Sequence, residues 1–116
     1  MKIGHIELFV QDVQKAKKFY ISKLRFRETA SQHGGTVVWI ERDDMEFLLR
    51  TGNPSDAPTY QASDLGIVLY TDNLETERAE LEQRGINFLG IDGSEKCLTF
   101  KDLDGHWFQL VNPQDH

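Results

Sequence analysis

The stretch GHIELFV, at positions 4–10, sets an imidazole and a carboxylate two residues apart, His5 and Glu7. Alternate side chains of a strand share a face, so His5, Glu7 and Phe9 belong to one side and Ile6, Leu8 and Val10 to the other. An imidazole next to a carboxylate on a strand face can ligate a metal, contact a substrate, or form an ordinary exposed hydrogen bond. The residues alone leave the three open.

The remaining chemistry-bearing groups narrow quickly. DLDG at 102–105 offers two aspartates and a glycine but not the glutamate that completes a calcium loop, so it reads as a turn. His33 falls in a QHGG turn and His116 ends the sequence. Cys97 reads as a residue packed within its strand. As the one cysteine of the sequence it forms no intrachain disulfide, which fits a reducing compartment. No serine sits in a nucleophile-elbow motif, and no glycine-rich loop fits a phosphate.

These groups must be carried by a small frame. A chain of 116 residues has room for one compact domain. The net charge of −6 argues against nucleic acid, whose phosphates call for clustered Lys and Arg; the one basic cluster, QKAKKFYISKLRFR, reads as a solvated helix face and a turn. No apolar run approaches the roughly 18 residues of a membrane-spanning helix. The start, MKIGHIELFVQD, turns polar too early for a signal peptide, so the expected location is the cytoplasm and no membrane partner is expected.

The sequence is also written twice. Shifted by 61 positions, HIELFVQDVQKAKKFY falls on GIVLYTDNLETERAEL, and the segment ending in MEFLLR falls on the one ending in HWFQLV. Ile6 then meets Ile67, Leu8 meets Leu69, Tyr20 meets Leu81, Trp39 meets Phe100 and Phe47 meets Phe108. Each half reads strand, helix, three strands. The strands are expected at about 3–10, 26–31, 36–41 and 45–50, and again at about 65–71, 86–90, 96–101 and 106–112, with helices at about 12–23 and 73–84. Asp12 and Asn73 sit where N-caps belong, Gly85 suits a C-terminal cap, and Leu24 stands where the first half lacks such a glycine. The organisation is one domain: a first βαβββ module over 1–52, a Pro-containing linker over 53–64, and a second βαβββ module over 65–113.

Two βαβββ units, opened by HIELFVQDVQKAKKFY and closed by FKDLDGHWFQLVNP, resemble the vicinal oxygen chelate superfamily, which includes glyoxalase I, extradiol dioxygenases, fosfomycin resistance enzymes and bleomycin resistance proteins. The resemblance covers nearly the whole chain. It implies an α+β fold of paired half-barrels around a cleft, in a homodimer. It also implies that the stripes Ile6/Leu8, Phe47/Leu49, Ile67/Leu69 and Phe108/Leu110 face helices, while His5, Glu7, Glu46, Leu48, Arg50, Gly66, Val68, Tyr70, Trp107 and Gln109 face the cleft. Trp39 reads as core.

Metal-using members take one ligand from the first and fourth strands of each half. Those positions here are His5, Leu48, Gly66 and Gln109: one imidazole, an aliphatic side chain, no side chain and a neutral amide. The leading expectation is therefore a binder of a small molecule with no metal cofactor, similar to the bleomycin resistance branch, using His5, Glu7, Glu46, Arg50, Tyr70, Trp107 and Gln109. The alternative is a lyase, isomerase or dioxygenase acting on a vicinal-oxygen substrate, with Fe, Mn, Ni, Zn or Mg held by His5, Glu46 and Gln109.

Overall fold

The computed structural model describes residues 1–115; His116 lies outside the described residues. Two compact units divide the chain, the first ending at Pro54 and the second beginning at Ser55.

The first unit runs β1 (Ile6–Val10), α1 (Val13–Ser22), β2 (Arg27–Gln32), β3 (Val37–Arg42) and β4 (Met45–Thr51). Its sheet has the order β1-β4-β3-β2, with β1 parallel to β4 and the other neighbours antiparallel. One face is apolar, and Leu8, Val10, Val38, Ile40, Phe47 and Leu49 are all buried there. Helix α1 starts where Asp12 accepts from the free amides of Gln14 and Lys15. Its buried residues Val13, Ala16, Phe19 and Tyr20 recur at helical spacing and form one stripe. Tyr20 meets Phe26 and Phe47 edge-on, at centroid distances of 5.3 and 6.3 Å. The chain leaves α1 through Arg25 in the left-handed region, at φ 61°, where glycine is usual. The β3–β4 hairpin turns on Asp43 and Asp44, both at positive φ as a two-residue type I′ turn demands, and short acidic side chains tolerate that region.

The second unit runs β5 (Gly66–Tyr70), α2 (Leu74–Gln83), β6 (Cys97–Lys101) and β7 (Trp107–Val111), with sheet order β5-β7-β6. Asn73 caps α2 by accepting from the Thr76 amide. Gly85 closes the helix at φ 93°, its amide reaching Glu82 O while that of Ile86 reaches Leu81 O. Phe100 stacks on Phe108 at 5.1 Å, and Phe88 meets Phe100 edge-on.

The internal repeat holds in the parallel pairs. Ile6 lies opposite Phe47 and Ile67 opposite Phe108, the same 41-residue stagger. It slips by one in the third strand. Phe47 faces Ile40, whereas Phe108 faces Phe100, so Phe100 corresponds to Ile40 and not to Trp39. The cause is one extra residue before the last strand: 42–45 separate Glu41 from its partner Glu46, while 102–106 separate Lys101 from Trp107. A one-residue slip exchanges faces, which leaves Trp39 on the side away from α1 and corrects its reading as core. The strand expected near 86–90 does not form. Gly90 takes a positive φ there and Gly93 another just beyond, and the segment follows β6 irregularly, through Leu89 N–H to Thr99 O, Thr99 N–H to Gly90 O, Thr99 Oγ1 to Leu89 O, Asp92 N–H to Cys97 O and a bridge from Ile91 to Leu98. No helix among the described residues is long and apolar enough to cross a membrane.

The turn 102–106 is organised by Asp102. Its buried carboxylate accepts from the backbone amides of Asp104 and His106 and lies 2.7 Å from His106 Nδ1. Burial pushes the His106 imidazole down, but the hydrogen bond to Asp102 and the charges of Asp102 and Asp104 outweigh it, so the net shift is upward from 6.5. A raised native value gives stability that is complete below 6.5 and is lost as pH rises through the higher folded value.

Two outcomes follow from this packing. Phe47→Ala, which empties the centre of the aromatic cluster, should lower unfolding free energy by about 3–5 kcal/mol in denaturant titration. Asp102→Asn should bring the NMR titration midpoint of the His106 ring down and cost about 1–3 kcal/mol, since two buried amides lose a charged acceptor.

Candidate functional site

In each unit the sheet has a face that the apolar stripe does not use. In the first unit it is built by the alternation of β1, β3 and β4, which brings His5, Glu7 and Phe9 alongside Glu46, Leu48 and Arg50, with Trp39 and Glu41 next in line. Glu7 is the hub. Its Oε2 lies 3.0 Å from His5 Nε2, and its Oε1 accepts from Arg50 at 3.1 Å. A carboxylate only accepts, so the His5 proton in this contact sits on Nε2. The hydrogen bond from His5, then that from Arg50, holds the Glu7 carboxyl below its ordinary 4.5, against a smaller opposing effect of burial.

Flat groups flank the charges. The Arg50 guanidinium lies 5.6 Å from the Phe9 ring centroid, and the His5 ring meets Trp39 edge-on at 4.6 Å. The Trp39 indole N–H is anchored on Gln32 Oε1 at 3.2 Å. Phe9 lies directly over Gly52, where a Cβ would fall 2.7 Å from the Phe9 Cβ; only glycine leaves the ring this space. Leu48 is buried opposite both Glu7 and Trp39, and Glu46 stands opposite Glu41 at the end of the sheet.

The corresponding face of the second unit is covered over β7, while Val68 on β5 stays exposed. Residues 55–65 of its own chain run across it. The Trp107 indole N–H donates to Ala57 O at 2.9 Å, and Lys101 Nζ pairs with both carboxylate oxygens of Asp56. Gln109, 4% exposed, donates from Nε2 to Tyr60 Oη at 3.2 Å and to Asp92 Oδ2 at 3.1 Å. Its buried Oε1 has no hydrogen-bond partner among the described residues. Gly66 lies under Tyr60: a Cβ there would fall 2.3 Å from the phenol oxygen. Tyr70, at 74%, remains exposed at the far end of β5.

Of the residues named from sequence, His5, Glu7 and Arg50 form one hydrogen-bonded group, with Glu46 on the same sheet outside it. Trp107 and Gln109 lie together beneath the covering segment, and Tyr70 stands apart from them. Tyr60, Gln61 and Asp92 escaped the sequence reading. Their signal is a tyrosine and a glutamine in a linker otherwise made of small residues, followed by a glycine, Gly66, where a strand side chain is expected.

The four positions at which the resemblance expects metal ligands do not fit a divalent ion. Leu48 is buried carbon, Gly66 is blocked by Tyr60, Gln109 is a neutral amide that brings no charge to hold a dication, and the remaining imidazole, that of His5, is bonded to Glu7. Among the described residues no group of three or more His, Cys, Asp or Glu side chains is arranged to hold a metal.

Residues 2–110 match the Glyoxalase/Bleomycin resistance protein/Dioxygenase superfamily, and the chain belongs to that family. Among individual proteins, the uncharacterised YurT of Bacillus subtilis is 27% identical across 96% of this chain and 98% of its own. The crystal structure of TnmS3, an antibiotic binding protein from Streptomyces sp. CB03234, is 27% identical with a TM-score of 0.68, covering 97% of this chain and 98% of its own. The fosfomycin resistance protein FosX of Listeria monocytogenes, solved with Mn(II) and sulfate, shares the fold at 17% identity, with a TM-score of 0.76 over 96% of this chain and 89% of its own.

Titration of the Glu7 carboxyl checks the hub. Its 13C midpoint should lie below 4.5 in the parent and rise toward 4.5 in Arg50→Gln and in His5→Gln. The stability the group contributes should be complete above 4.5 and be lost as pH falls through the depressed native value.

Proposed function

We propose that this protein binds a small planar organic molecule without a metal, as a cytoplasmic homodimer, and sequesters it rather than transforming it. The observation that carries the reading is the engagement of the Glu7 carboxylate by both His5 and Arg50 between two aromatic surfaces, Phe9 and Trp39. Such a wall offers stacking area and directional hydrogen bonds, the usual composition of a small-molecule site. The binding set proposed for this molecule is His5, Glu7, Glu46 and Arg50 on the first sheet; Tyr70, Trp107 and Gln109 are proposed as ligand contacts of the second sheet by itself, Trp107 and Gln109 only where the segment over them gives way. Similarity to an antibiotic binding protein over nearly the full length of both chains supports the reading. Dimerisation is supported by the outermost places of β1 and β5 in their sheets, because an edge strand presents unpaired amides and carbonyls.

Elemental analysis of tag-free protein, before and after dialysis against Fe, Mn, Ni, Zn and Mg, is the first test. We expect no stoichiometric metal and no thermal stabilisation by any of the five ions. A thermal-shift screen of planar aromatic compounds should then return a ligand whose affinity falls about tenfold in Arg50→Ala, the loss of one charged hydrogen bond. Near-stoichiometric metal that disappears in His5→Ala would overturn the reading in favour of a divalent-metal lyase, isomerase or dioxygenase. Light scattering at twice the chain mass checks the dimer.

A further inference from the structure

The second unit supplies its own occupant for the face that the first unit leaves open. Four attachments hold the segment from Asp56 to Gln61 there: Asp56 to Lys101, Ala57 O to the Trp107 indole, Tyr60 Oη to Gln109, and Gln61 Nε2 to both Ile91 O and Asp92 Oδ1. Asp92 ties two of them together, since its other carboxylate oxygen accepts from Gln109. Two further observations point to a site rather than to ordinary packing. Gly66 gives the phenol a space that any other residue would fill. Gln109 keeps one buried amide oxygen without a partner among the described residues, an unfavourable arrangement that a ligand with a suitably placed donor would relieve.

We propose that this segment is a self-occupying strap: Tyr60 takes the place of a phenolic ligand on the inner face of the second sheet, and a ligand of that class reaches the face by displacing the strap. The chemical class follows from what the face holds now. It accommodates an aromatic ring over Gly66 and donates a hydrogen bond from Gln109 to the ring's hydroxyl. The attachments of Asp56 and Gln61 are exposed side-chain contacts and those of Ala57 and Tyr60 are single hydrogen bonds to side chains, so release of the strap breaks no backbone pairing of the sheet beneath it. The inference extends the binding reading to the second unit, but its test reads the strap itself, and the two can fail separately.

Hydrogen exchange and a chemical probe decide it. In Gly66→Ala, whose new methyl takes the phenol's space, the amides of Ala62 and Ser63, which donate to Thr59 O and Tyr60 O of the strap, should exchange more than tenfold faster, while those of β7 keep the protection they have in the parent. In a Trp39→Phe background, where Trp107 is the sole indole, acrylamide should quench its fluorescence several-fold more strongly once Gly66→Ala is added. Phenol itself should raise the melting temperature of Tyr60→Ala, more than toluene does, and the difference should vanish when Gln109→Leu is added. If Gly66→Ala does not fold, Tyr60→Phe replaces it in the exchange experiment, with faster exchange confined to Ala62 and Ser63 expected. Unchanged exchange at Ala62 and Ser63, or equal loosening of β7, would show the segment to be a fixed part of the unit and overturn the strap. Equal effects of phenol and toluene would overturn the phenolic site.

Discussion

Parallel pairing of the first strand of each half with its last is the constraint on which the other features depend. Parallel neighbours cannot be joined by a tight turn, so the chain must leave the sheet, cross and return. In the first half the crossing carries α1, and the helix covers one face of the sheet with Phe19 and Tyr20. Strand alternation then does the sorting. Leu8, Phe47 and Leu49 are committed to the helix side, and His5, Glu7, Leu48 and Arg50 are left on the other. The chemistry of the protein is confined to whatever the helix does not cover. The recurrence of the same 41-residue stagger in the second half subjects Gly66, Trp107 and Gln109 to the same sorting.

This explains which parts of the molecule were legible in the sequence. Hydrophobic period and turn residues specify faces and caps, so the apolar stripes, the Asp12 and Asn73 caps and the Gly85 helix end could be read directly. Trp39 could not. An ungapped comparison of the halves hides the one residue added between β6 and β7, and in a strand one residue is the difference between two faces. The stretch 86–90 misled because its apolar residues suit a strand while Gly90, at φ 89°, breaks the extended run. The strap was invisible for a different reason. Its partners Trp107 and Gln109 lie 50 and 49 residues away, and nothing local marks a linker that will be held by a distant sheet.

The two halves have diverged in how they treat charge. On the first face a carboxylate is retained and is compensated in place, one oxygen by His5 and the other by Arg50, in partial contact with water. Exposed pairs of this kind contribute little to stability, so their value lies in holding side chains in a fixed geometry. On the second face charge has been withdrawn from the strand. Gln109 is buried, and its amide donates to Asp92 and orients that carboxylate.

A glutamate at 109 would reverse this arrangement. It would set a second carboxylate within hydrogen-bond distance of Asp92, in a place where water cannot screen the repulsion, and it would remove the donor that holds Tyr60. The neutral amide, the missing Cβ at Gly66 and the phenol above it are therefore one solution rather than three substitutions. Each makes the other two tolerable, and together they give a neutral position filled by the Tyr60 phenol. Restoring any single polar ligand to the second sheet would leave the other two positions opposed to a metal.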